Sequence, residues 1–266
     1  MTNIKPNYRI LVLYNPQNAN TTSLEAGVTL AKRTQGAIDL LSISSLKKFS
    51  SQSNQVALIR AFNEENTKLK SRLSKLVDTL SEEEGIPVIY TAKIGLVKEV
   101  IEEHIRLTQP EIVILGSHKG LKTKWANPRV FKAVMNCHQG IIMFSSTSNC
   151  LHNNKPLTLG FIERIMKNQP LINQLSKLAK QPHKLFQFSF DSQSKRMDQQ
   201  EDIVVYDFED KAKMFSNFLR YIEQSKINIL CVHKALFSFK TFQSSNKNQI
   251  IKKLTNLETP ILVFPN

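Results

Sequence analysis

The sequence predicts an α/β protein made of two tandem doubly wound domains with parallel sheets. Three observations carry that prediction. Short apolar runs alternate along the whole chain with amphipathic or polar segments, the pattern of strands buried on both faces by crossover helices. A stretch near the middle, Ile112-Val113-Ile114-Leu115-Gly116-Ser117-His118-Lys119-Gly120-Leu121, returns as Ile229-Leu230-Cys231-Val232-His233-Lys234-Ala235-Leu236. At an offset of 115 residues, Ile114, Leu115, His118, Lys119 and Leu121 all find an identical residue, a spacing that fits a duplicated domain and not a solenoid unit. The length of 266 residues fits two such domains, taken as 1–149 and 150–266, the second shortened and degenerate.

The elements follow in order. Tyr8 to Tyr14 is a nearly continuous apolar run and reads as a strand. Asn15 to Asn20 is a polar turn, and Thr21 to Ser23 supply capping oxygens for a helix running to about Thr34. Ala37 to Ile43 is a second strand, followed by a serine-rich segment from Ser44 to Asn54. Val56 to Glu84 is a long amphipathic helix with Leu69, Leu73, Leu76, Val77 and Leu80 at helical spacing, closed by Gly85 as a C-cap. Ile86 to Thr91 is a strand and Gly95 to Leu107 a helix that Pro110 stops. Glu111 to Leu115 is the next strand. Pro128 to Asn136 is a helix whose proline suits its first turn, and Gly140 to Phe144 is the fifth strand.

Ser145 to Lys155 reads as a linker, after which the pattern restarts. Pro156 to Glu163, Lys184 to Phe190, Ile203 to Phe208, Ile227 to His233 and Pro260 to Phe264 are strands. Leu171 to Leu178, Met214 to Ile222 and Asn248 to Asn256 are helices. Two further alignments extend the repeat: Pro87 to Tyr90 with Ile203 to Tyr206 at offset 116, and Gly140 to Phe144 with Pro260 to Phe264 at offset 120.

Composition excludes several classes. No apolar run approaches the ~20 residues that cross a bilayer, and the first residues lack the apolar core of a signal peptide. Cys137, Cys150 and Cys231 form neither metal-ligand spacing nor a disulfide framework, so a reducing, cytoplasmic setting is expected. The net charge of +14 divides evenly, with 19 basic and 12 acidic residues up to Cys150 and 17 and 10 beyond it. A solvated lysine-rich surface explains this spread. Nucleic-acid binding is the alternative, but it rests on charge alone, without a recognised module. Nothing resembles a serine nucleophile elbow or paired catalytic carboxylates, so no catalytic residue and no enzyme activity are expected.

The chain resembles the universal stress protein (UspA-like) family in its tandem form, a Rossmann-like fold of the adenine nucleotide alpha hydrolase type. The likeness lies in Ile10-Leu11-Val12-Leu13-Tyr14-Asn15, in Gly95 and the helix after it, in Ile112 to His118, and in Thr259 to Phe264. It covers essentially the whole chain and is weaker in the second half. The resemblance implies a cytoplasmic stress-response protein, with an ATP site built on Gly-x-x-Gly, nine residues, then Gly-Ser or Gly-Thr. Glycine amides and a helix N-terminus hold the phosphates there.

Here Gly116 is kept, Lys119 takes the second glycine's place with Gly120 beside it, and Asn127-Pro128 stands where the Gly-Ser pair belongs. The first-strand Asp of the family is Asn15. In the second half, Cys231 and Ala235 replace both glycines, and Glu163 or Arg164 follows the first strand. The candidate nucleotide residues are therefore Asn15, Gly116, His118, Lys119, Gly120 and Asn127, in a first-domain pocket with weak or lost ATP binding and an emptier second domain.

His118 and His233 each end a strand, as a ligand contact or as a strand-end hydrogen-bonding residue. Lys119, Lys122, Lys124, Arg129 and Lys132 gather charge around one loop, either to hold an anion or as solvated surface, and Trp125 packs nearby. The expectation is a non-enzymatic binding or regulatory module with an unidentified protein partner, no metal and no membrane. ATP or ADP in the first domain is the alternative. The last strands, around Ile141 and Ile261, are expected to pair across a pseudo-twofold axis, with a homodimer as a further option.

Overall fold

A computed structural model describes residues 7–14, 22–45, 54–116, 128–145, 157–162, 169–179, 182–188, 203–208, 214–225, 227–237, 257 and 259–265. Ten strands form one sheet: β1 (Arg9–Leu13), β2 (Ala37–Ser45), β3 (Val88–Gly95), β4 (Ile112–Gly116), β5 (Ile141–Ser145), β6 (Leu159–Ile162), β7 (His183–Phe188), β8 (Ile203–Phe208), β9 (Ile229–His233) and β10 (Ile261–Phe264). Their order is β3-β2-β1-β4-β5-β10-β9-β6-β7-β8. Each half thus has its first strand inside and reverses direction there, which is the doubly wound arrangement. Every neighbouring pair is parallel except the central one. There β10 runs antiparallel to β5, with Ile261 opposite Phe144, Leu262 opposite Met143 and Val263 opposite Ile142. The last strands pair as the resemblance implies.

Helices cover both faces. On one lie α1 (Thr22–Thr34), α2 (Gln55–Glu84) and α5 (Pro170–Ser176), whose Leu24, Leu30, Leu69, Leu73, Leu171 and Leu175 pack on Ile10, Val12, Ile114 and Leu159. On the other lie α3 (Val97–Thr108), α4 (Pro128–Cys137) and α6 (Met214–Gln224), with Ile101, Ile105, Val134, Phe218 and Ile222 on Leu11, Val113, Ile142 and Leu230. The length of α2 follows from its caps. Asn54 accepts from the Val56 N–H at 2.9 Å, and Gly85 closes the helix at φ 65°, its N–H donating to the Ser81 carbonyl.

The sequence pattern ends β3 at Thr91 and starts α3 at Gly95. In the structure β3 continues to Gly95 because its last residues stay in register with Leu41–Ser45 of β2, and α3 starts only at Val97. Long-range pairing decided that boundary, which local propensity does not carry. The expected helix over 248–256 and the linker over 146–155 lie outside the described residues.

Two repeat alignments are corrected by the sheet. Ile141 packs on the α1/α5 face and Ile261 on the opposite one, so the offset of 120 cannot relate them. Val88 faces the α1/α2 layer, as Ile203 and Val205 do, so offset 116 also fails. Successive strand residues alternate faces, and an error of one residue exchanges every side chain between the layers. The offset of 115 survives this check, because Ile114 and Ile229 share a face.

Candidate functional site

Ligands of open α/β sheets bind beyond the carboxyl ends of the strands where the order reverses. In the first half that place is the end of β1, the end of β4 and the start of α1. Gly116 closes β4 so near to α1 that a Cβ there would stand 3.0 Å from Ser23 Cβ and 3.3 Å from the Ser23 backbone nitrogen. A side chain there would require Ser23 to yield by a few tenths of an ångström. Ser23 Oγ also donates to the Leu13 carbonyl at 3.3 Å, and the Tyr14 N–H donates to Leu41 O at 2.9 Å. The first turn of α1 is thereby fixed against two strand ends.

Of the six sequence-derived candidates, Gly116 is the one placed here. Asn15, His118, Lys119, Gly120 and Asn127 lie outside the described residues, as do Lys122, Lys124 and Trp125. Pro128 is the first residue of α4, and Arg129 and Lys132, both exposed, follow it in the first turns. The helix end that would face a phosphate therefore begins with a residue that has no N–H.

The corresponding end of the second half is built differently. Cys231 is fully buried within β9, and burial pushes its thiol pKa well up. His233 ends the strand, and its Nδ1 accepts from the Ala235 N–H at 3.3 Å, so this histidine serves the turn that follows it. Lys234, half-buried in that turn over Lys234–Phe237, donates from Nζ to the carbonyl of His138 at 2.8 Å. His138 is buried next to the end of α4. Its pKa falls to about 4, chiefly through desolvation and against a hydrogen bond to the Ile141 carbonyl.

Sequence reasoning missed one buried polar pair. His104 of α3 bonds through Nε2 to Asp39 Oδ2 of β2 at 2.6 Å, with side chains 6% and 10% exposed. The available signal was Asp39 itself, an acid inside the apolar run Ala37-Ile38-Asp39-Leu40-Leu41. The pair joins the third helix to the sheet near the start of β2, away from the strand ends just described. The described cysteines are not poised as nucleophiles either. Cys137 is half-buried, and burial, followed by the charge of Glu102, raises its pKa. Among the described residues, no cluster of His, Cys, Asp and Glu could hold a metal ion. No helix among them is long and apolar enough to cross a membrane.

A reversed-order parallel sheet, covered by helices on both sides and drawn close by a glycine to the first helix turn, defines a Rossmann-like α/β protein. Residues 7–136, just under half of the chain, match the model of the universal stress protein family, and this stretch is a UspA-like domain. Solved structures extend the fold to the whole chain. A universal stress protein from Archaeoglobus fulgidus DSM 4304 superposes with a TM-score of 0.66 at 13% identity, covering 98% of this chain and 97% of that one. A putative universal stress protein from Pseudomonas aeruginosa UCBPP-PA14 gives 0.62 at 13% identity, with 97% and 92% covered. A protein of unknown function from Pseudomonas aeruginosa PAO1 gives 0.63 at 13% identity, again with 97% and 92% covered. No protein of curated function matches the sequence.

Proposed function

We propose that this protein is a non-catalytic binding and regulatory module of the cytoplasm, built from universal-stress-like domains over 1–149 and 150–266, in which ATP binding is weak or lost. The observation that carries this reading is the start of α4 at Pro128. The first residue of α4 has no backbone N–H to donate to a phosphate. The second half supports the same reading, since its glycine positions hold the buried Cys231 and the turn residue Ala235. Such a module acts through its protein surface on a partner.

A second reading has one observation in its favour. Gly116 leaves the end of β4 without a side chain beside Ser23, and a strand end of that kind favours close backbone approach by a phosphate. The two readings separate in thermal unfolding of the purified chain with and without millimolar Mg-ATP, alongside assay of co-purified nucleotide. A site at ligand 100-fold above its dissociation constant adds about 2.7 kcal/mol. The proposal expects no such shift and no retained nucleotide. A clear shift that disappears in His118→Ala or Lys119→Ala would overturn it in favour of a nucleotide switch.

A further inference from the structure

We infer that Lys234 latches the two halves of the protein together by capping the carboxyl end of α4, so that the turn after β9 serves as an inter-half clasp. The sheet register places it there. Val263 of β10 pairs with Ile142 of β5, and Phe264 pairs with His233 of β9. The residue after His233 therefore arrives beside the beginning of β5, where α4 ends. The last carbonyls of a helix lack intrahelical donors and carry its negative dipole end. The His138 N–H continues the α4 ladder to Val134 O, and the His138 carbonyl beyond it receives Lys234 Nζ at 2.8 Å.

The ammonium is partly desolvated in doing so, which lowers its pKa. A hydrated lysine would not give up water there without a fixed acceptor. On the opposite face the halves touch through α1 and α5, where Gln174 Nε2 reaches the Arg33 carbonyl at 3.5 Å. Among the described residues, Lys234 adds a polar tie on the α4 side of the same β5–β10 joint. The assignment is independent of nucleotide binding in either half.

Cys137, at the last residue of α4 and half-buried, reports on this clasp. The test is the rate of its reaction with Ellman's reagent in the full chain carrying Cys150→Ser. Cys231 is fully buried and acts as the marker of global unfolding. Releasing the helix end should let it open locally, so Lys234→Met should react about five-fold faster or more at Cys137 while Cys231 stays silent. Lys234→Arg should stay close to the parent. Loss of the neighbouring ammonium charge by itself disfavours the thiolate, so electrostatics alone would slow the reaction. An unchanged or slower Cys137 with Cys231 silent would overturn the latch. If Lys234→Met does not fold, the temperatures at which Cys137 becomes reactive in Lys234→Gln and Lys234→Arg are compared. A lower temperature in the Gln variant supports the latch, and equal temperatures refute it.

Discussion

Replacing His104 by leucine should be among the most damaging single changes in this protein. Asp39 Oδ2 has His104 Nε2 as its partner at 2.6 Å, and Oδ1 has none among the described residues. With both side chains at or below 10% exposure, little water reaches the carboxylate to replace the lost imidazole. Removing one member of a buried pair costs about 3–5 kcal/mol, whereas replacing both by apolar residues is often close to neutral. His104→Leu should therefore lose about 3–5 kcal/mol, and the Asp39→Leu/His104→Leu double variant should regain at least about 2 kcal/mol of it. Urea unfolding at pH 7, followed by far-ultraviolet circular dichroism, measures both. A loss below about 1 kcal/mol in the single variant would refute the reasoning, because it would mean that the carboxylate finds solvent or a new donor. So would a double variant no better than the single one.

Two further outcomes follow from the end of α4. His138 is buried with its pKa lowered to about 4 from 6.5, so the folded state binds its proton less readily than the unfolded state. Its contribution is complete above pH 6.5 and is lost as pH falls through about 4, a difference of about 3 kcal/mol. Stability curves between pH 7 and 4 should flatten by that order in His138→Gln, and an unchanged slope would contradict the assignment. Gly140→Ala would place a Cβ 2.5 Å from the Glu111 carbonyl oxygen and 2.8 Å from His138 Nε2. Neither backbone nor a buried ring can yield freely, so denaturant unfolding should show a loss of about 1–3 kcal/mol, and a neutral result would show that the turn relaxes.

Much of the architecture was determined by the sequence. The apolar runs Ile10–Leu13 and Ile112–Leu115, recurring between amphipathic segments, carry the pattern of strands buried on both faces of a parallel sheet. The spacing of Leu69, Leu73 and Val77, with Gly85 as the C-cap, set α2 almost residue for residue. The repeated fourth strand and following His-Lys fall on β4 and β9, which hold corresponding places in the two halves of the sheet. Gly116 at the end of β4 and Pro128 at the head of α4 were legible as the ends of their elements.

Tertiary structure alone decided the rest. Which way a strand residue faces depends on register with its neighbours. For that reason Ile141 and Ile261 looked equivalent in the sequence yet lie on opposite layers. The extension of β3 to Gly95 was likewise fixed by the partner strand β2. Asp39 and His104 are 65 residues apart, and Lys234 and His138 are 96 apart. A carboxylate, an ammonium or a helix-end carbonyl carries no mark in the sequence of the partner it will meet. Each pairing exists because the folded sheet removes water from both groups at one place, and that desolvation makes the contact matter.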